Sequence, residues 1–340
     1  MDQIPLSEPD LTGNESRYLQ ECVDSTFVSS VGPFVDKFEG MVAAAVGTRK
    51  AVATSSGTTG LHAALTAVGV GYSDLVILQS YTFIGSANAI SHCGAAPWLL
   101  DIGPESWSLN HVQLRDVLAS QTRCQDGECI HLETGRRVAA IMPVYTFGLP
   151  ADIDPIIDVA RAYGLPVVAD AAAAIGATYK DKKIAGTGAD LTVFSFNGNK
   201  TVTAGGGGAV TGSDEDLVQS IRHLTTTARA GPGYLHDKVG FNYRMTNLQA
   251  AVGCAQLERL DNMVEKKREI AKVYQSSLID QEGLAVFPAP NWAEGSCWIS
   301  GVLADSDQRA DRLRECLRGA GFNAQPFWKP IHLQPPYAGA

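Results

Sequence analysis

The chain has no surplus of positive charge, no even set of cysteines and no apolar run long enough to span a bilayer. Each absence excludes something. With 27 Lys and Arg against 36 Asp and Glu, the net charge is −9. A general nucleic-acid binder needs a basic face that displaces counterions. The seven cysteines, Cys22, Cys93, Cys124, Cys129, Cys254, Cys297 and Cys316, are odd in number and scattered. They make no disulfide framework and fit a reducing cytoplasm. No basic-plus-apolar leader is present, so a soluble, cytoplasmic protein without membrane or nucleic-acid partners is expected. The cluster "CQDGECIH" (Cys124, Cys129, His131) lacks a second pair at zinc-site spacing, and no metal is expected. Nor is there a nucleotide loop. No Gly-Lys-Ser/Thr follows "SSGTTG", and the glycines of "VGVGYSD" (Val68 to Asp74) close a helix before a strand, the reverse of a dinucleotide fingerprint.

What is present is an ordinary globular composition, 45% hydrophobic and 19% charged over 340 residues. That length suggests one large domain and a smaller one. Apolar strand candidates, "KAVATS", "DLVILQ", "APWLLD", "VAAIMPV", "LPVVAD", "LTVFSF" and "GAVTG", alternate with helical stretches such as "TTGLHAALTAVG" and "DIDPIIDVARAYG". Several are apolar throughout, as strands covered on both faces are. The pattern predicts an α/β fold with a mostly parallel sheet. Past residue 245 a long helical stretch, broken near Leu260–Asp261, leads into shorter pieces. The expected division is a large domain with an N-terminal arm over 1–255 and a smaller C-terminal domain over 256–340.

Sites in open α/β sheets lie beyond the carboxyl ends of the strands. Three polar features fall there. "SSGTTGLHAAL" opens a helix with small and hydroxyl residues, which suits a phosphate or a plain helix cap. Asp170 ends "LPVVAD" among alanines, where it either caps a helix or pairs with a protonated ring nitrogen. Lys200, in "SFNGNKTVTAGGGG", either decorates a wet turn or is held desolvated as a nucleophile. Together they form the set that pyridoxal phosphate (PLP) requires.

These motifs, with "SYTFIGSANAI", "GLPADIDPI", "SFNGNK" and "GFNYRMTNLQAAVG", run along essentially the whole chain. The chain resembles the DegT/StrS family of PLP-dependent nucleotide-sugar aminotransferases, of the aspartate-aminotransferase-like fold (type I). Within that family, "HLTTTAR" and "HDKVGFNYRM" look most like enzymes making UDP-linked 4-amino-4,6-dideoxy-N-acetylglucosamine. GDP-perosamine synthases are close neighbours, and C3 aminotransferases or a non-catalytic PLP-fold protein are the alternatives. The resemblance implies that Lys200 carries the cofactor as an imine and Asp170 keeps its ring nitrogen protonated. It further implies that Gly57, Thr58 and Ser195 hold the phosphate and Phe83 stacks on the ring. Asn242 would reach the phosphate from a partner subunit, implying a homodimer with a shared site. Ser29, Ser30, Lys329 and His332 would face a nucleotide-diphosphate 4-keto sugar, and glutamate would be the amino donor.

The match has departures. Ala173 stands where the family usually has Glu, Gln or His, a group able to approach the ring's phenolic oxygen. Tyr145 replaces a common histidine and Gln325 a common arginine, both where substrate recognition is expected. The family usually continues beyond "PPYAGA" into a last piece of the small domain.

Overall fold

The computed structural model describes residues 3–339. Two helices lead in, α1 (Glu15–Asp24) and α2 (Pro33–Val46). Strands and helices then alternate: β1 (Ala51–Thr54), α3 (Gly57–Ala67), β2 (Leu75–Gln79), α4 (Ile84–His92), β3 (Ala96–Leu100) and α5 (His111–Gln121). The hairpin β4 (Thr122–Gln125) and β5 (Glu128–His131) precedes β6 (Val138–Met142), α6 (Ile153–Ala162) and β7 (Val168–Asp170). After the short pair β8 (Thr178–Tyr179) and β9 (Lys182–Lys183) come β10 (Leu191–Ser195), β11 (Gly208–Thr211) and α7 (Glu215–Thr225). The chain continues through α8 (Asn247–Leu257), α9 (Leu260–Leu278), β12 (Leu284–Val286), β13 (Ala293–Glu294), β14 (Val302–Ala304) and α10 (Asp307–Gly319).

All seven apolar runs singled out above are strands, and they make one surface. β2 pairs in parallel with β3 and β6, and β7 with β10. Parallel bridges Ile141–Val167 and Val144–Asp170 join β6 to β7. β11 lies antiparallel between β10 and β1. The order is therefore β3-β2-β6-β7-β10-β11-β1. The one reversal has a local cause: a loop without a helix joins β10 to β11, and a parallel return would need a crossover.

Every residue of β2 is buried, as is every residue of β6. Successive strand residues face opposite layers: Phe194 belongs to the core cluster that holds Phe38 of α2, while Val193 belongs to the one that holds Leu61 of α3. The break between α8 and α9 falls at Glu258–Arg259, just before the position expected. There the Arg259 guanidinium pairs with Asp10 at 2.6 Å and straps the N-terminal arm to the helix junction. Farther on, β12 and β14 pair with each other, while β13 pairs with β8. Among the described residues no helix is long and apolar enough to cross a membrane.

Candidate active site

The carboxyl ends of β7, β10 and β1 lie along one edge of the sheet. Asp170 closes β7, where valines and alanines fix a fully buried strand. Its carboxylate is 4% exposed. One oxygen accepts from Ser86 Oγ at 2.7 Å and the other from the Ala172 amide at 3.1 Å. Burial pushes its pKa up, against the pull of these donors and of the Lys200 charge. Ser86 lies in the first turn of α4 and is held in turn by Thr82 at 3.0 Å.

Lys200 sits in the loop that reverses the chain between β10 and β11. Its amide donates to Asn197 O at 3.0 Å. Its Nζ lies 3.6 Å from the centre of the Trp298 ring, and the Trp298 indole N–H donates to Asn199 O at 2.6 Å. One indole thus fixes both the turn and the amine. Burial depresses the Lys200 pKa to about 8, with Asp170 opposing the shift. The glycines after it serve the turn. Gly207 has φ +122, and a Cβ on Gly208 would meet Ser56 O at 2.5 Å.

The start of α3 forms the third wall. Ser56 caps it, its Oγ accepting from the Thr59 amide at 3.1 Å. The Gly57 and Thr58 amides, in the first turn, have no intrahelical acceptor. A Cβ on Gly57 would lie 2.9 Å from Ser195 Cβ, so Ser195 closes against this turn. A Cβ on Gly85 would meet both Thr58 Oγ1 and the Phe83 ring at 3.2 Å. Gly57, Thr58, Ser195 and Phe83 are therefore gathered at one place, and Phe83 is 57% exposed.

Trp328 lies 5.9 Å from Phe83 and 4.4 Å from Phe147, centre to centre, extending an aromatic wall over the strand ends. The segment after it carries Lys329, which is exposed, and His332, whose Nδ1 is 2.5 Å from Ser80 Oγ at the end of β2. The structure thus brings these two to the rim. It seats Ser29 against α8, Asn247 donating to Ser29 O at 2.6 Å, with Ser30 beside it. Neither serine contacts Lys200 or Asp170. Asn242 is exposed, on a segment bridged to Thr226.

The departures separate here. Tyr145 is 2% exposed and packs in the core cluster, its amide donating to Asp170 O at 2.9 Å. Gln325 is exposed, accepting from Arg318 at 3.0 Å, and so is tied to the end of α10. Ala173 packs with Phe147 and Trp298, so apolar rings occupy the space beside it. Motif reading missed Ser86 and Trp298. A hydroxyl three residues beyond Phe83 was a signal for the first; for "SCWISG" there was none.

Residues 9–340 match the DegT/DnrJ/EryC1/StrS aminotransferase family. The chain belongs to that family. It is 38% identical to the GDP-perosamine synthase of Caulobacter vibrioides over 99% of this chain and 88% of that one. It is 35% identical to the GDP-perosamine synthase of Escherichia coli O157:H7, with the same coverage of each. The crystal structure of S. venezuelae DesV with a ketimine intermediate superposes with a TM-score of 0.89 at 28% identity, over 100% of this chain and 87% of that one. The fold is that of the PLP-dependent aminotransferases, the protein is an aminotransferase, and its cofactor is PLP.

The residues present fit that cofactor. The buried Asp170 carboxylate hydrogen-bonds only to a hydroxyl and an amide, leaving lone pairs for a cationic N–H. At the start of α3 the free Gly57 and Thr58 amides and the Ser195 hydroxyl lie together, a donor set suited to an anion.

Proposed function

We propose that this aminotransferase delivers an amino group to the C4 ketone of a nucleotide-linked 4-keto-6-deoxy sugar. Glutamate is the donor, and a homodimer is the working unit. The observation that carries the chemistry is the convergence of a desolvated Lys200 and a buried Asp170 at neighbouring strand ends. The names of the relatives favour a GDP-linked sugar, 4-keto-6-deoxymannose, over the UDP-linked sugars that the motif resemblance put first.

When bound, PLP supplies an electron sink that lets an amino group and a proton pass between two carbonyl carbons. The chain's own residues set that up. Asp170 accepts a hydrogen bond from the cofactor's ring N–H, and its burial makes loss of that proton costly. Gly57, Thr58 and Ser195 bind the phosphate through amides and hydroxyls. Phe83 orients the ring plane. Lys200 Nζ carries a proton at need: with a pKa near 8 it is neutral often enough to take one up and basic enough to return it. Trp298 keeps that amine aimed and excludes water. Lys329 and His332 stand at the rim, where a diphosphate would lie. Asn242 is free to reach a partner's phosphate site.

The test is an acceptor comparison. With glutamate as donor, mass detection should show the 4-amino product from the GDP-linked 4-keto sugar and little from UDP-linked ones. A reversed preference would return the reading to UDP sugars, and no product from any would remove it.

A further inference from the structure

The hairpin β4–β5 holds two cysteines that the aminotransferase chemistry does not use. Its turn is Asp126–Gly127, both with positive φ (+53 and +84), as a two-residue hairpin turn requires. The register pairs Gln125 with Glu128, Cys124 with Cys129, Arg123 with Ile130 and Thr122 with His131. The next pair outward, Gln121 and Leu132, is hydrogen-bonded, Leu132 N donating to Gln121 O at 2.8 Å. Antiparallel pairs alternate between hydrogen-bonded and non-bonded. Counting inward, Arg123–Ile130 and Gln125–Glu128 are bonded pairs, and Cys124–Cys129 is a non-bonded pair. Directly opposed residues point to the same face, and non-bonded pairs bring their side chains closest.

We propose that Cys124 and Cys129 form a reversible cross-strand disulfide when the protein meets peroxide. Cys124 is exposed and Cys129 is 5% exposed. Their roles differ accordingly. Hydrogen peroxide attacks the accessible Cys124 sulfur, one oxygen passing to sulfur as a sulfenic acid and the other leaving as water. The Cys129 thiol attacks that sulfur: an S–S bond forms, the S–O bond breaks and a second water leaves. Two thiols and one peroxide give one disulfide and two waters. Burial shields Cys129 from direct oxidation and leaves it to resolve its neighbour. Cα atoms in a non-bonded pair stand about 4.5 Å apart, within reach of a disulfide. Cys124 is exposed, and exposed disulfides are the ones reductants reach, which suits a reversible mark rather than a structural staple. Elsewhere, Cys22 and Cys254 are buried, with their thiols on the carbonyls of Asn247 and Phe34.

The experiment treats the reduced full chain with stoichiometric hydrogen peroxide, quenches free thiols and maps peptides without reductant. The expected result is one intrachain linkage between Cys124 and Cys129, two hydrogen atoms lighter than the reduced peptide and restored by dithiothreitol. Cys129→Ser should instead accumulate a Cys124 sulfenic acid that dimedone traps, and Cys124→Ser should leave Cys129 reduced. Independent oxidation of the two sulfurs, a linkage to any other cysteine, or a linkage between two chains would each overturn the proposal.

Discussion

Lys200 loses hydration on folding, and that loss has a sign that can be measured. Its pKa of about 8 in the folded chain lies below the 10.5 of a free lysine. Between those values the unfolded chain binds more protons, so stability rises with pH across that window. Below pH 8 both states are charged and the full cost of burying the ammonium is felt; above 10.5 both are neutral and it is gone. Lys200→Met should therefore raise the thermal midpoint of the cofactor-free protein at pH 7. The gain should shrink as pH climbs from 8 toward 10.5, and a gain independent of pH would contradict this. Ser86 is the second residue-scale test. A hydrogen bond to a charged group contributes about 1.5–3 kcal/mol, so Ser86→Ala should weaken PLP binding roughly ten-fold or more in a spectroscopic titration. Unchanged affinity would mean that Asp170 needs no help from α4. Lys200 and Asp170 were legible in the sequence because lone charged residues at the ends of apolar strands have few structural uses. Ser86 and Trp298 were not, because their partners are far away in the chain and ordinary in composition. The burial of Tyr145 was not legible either: its place in a motif is a matter of order along the chain, while its burial is decided by α6 and the segment around Thr187 packing over it.

The loop between β10 and β11 shows how an element inherits its shape from close approach. Gly208 passes so near Ser56 that no side chain fits between them. Gly208→Ala must push two backbone segments apart, and overpacking of this kind costs about 1–3 kcal/mol. The variant should melt earlier and hold PLP less well, since the same contact sets Ser56 at the mouth of α3. A full melting temperature with intact cofactor affinity would show the contact to be slack. Strands at this scale were readable because burial on both faces demands apolar runs, and the seven runs are the seven strands of the main sheet. The antiparallel direction of β11 was not readable from its composition. It follows from a connection without a helix, which the glycines of "TAGGGGAV" mark only in retrospect. The junction of α8 and α9 was found within a few residues, since no strong breaker marks the spot and the capping residues on either side are polar but unremarkable.

At the scale of the whole molecule, family, fold and cofactor agree, and the proposed sharing of sites between subunits is the part that needs two chains to exist. If Asn242 serves the partner's phosphate site, Lys200→Ala and Asn242→Ala proteins should each be impaired alone. Mixed dimers should recover activity, because one site then holds both defects and the other holds neither. No recovery on mixing would place Asn242 in its own subunit or outside the site. The net charge of −9 is no obstacle to an anionic substrate, since Lys329 and His332 supply local positive and donor groups at the rim. The central claim remains the covalent bond at position 200 beside a protonated ring, and one measurement addresses it directly. The purified protein is loaded with PLP, reduced with borohydride, digested and mapped. The account predicts the cofactor fixed on the peptide carrying Lys200, with loading lost in Asp170→Ala. A label on another lysine, or full labelling of Lys200→Ala, would contradict it.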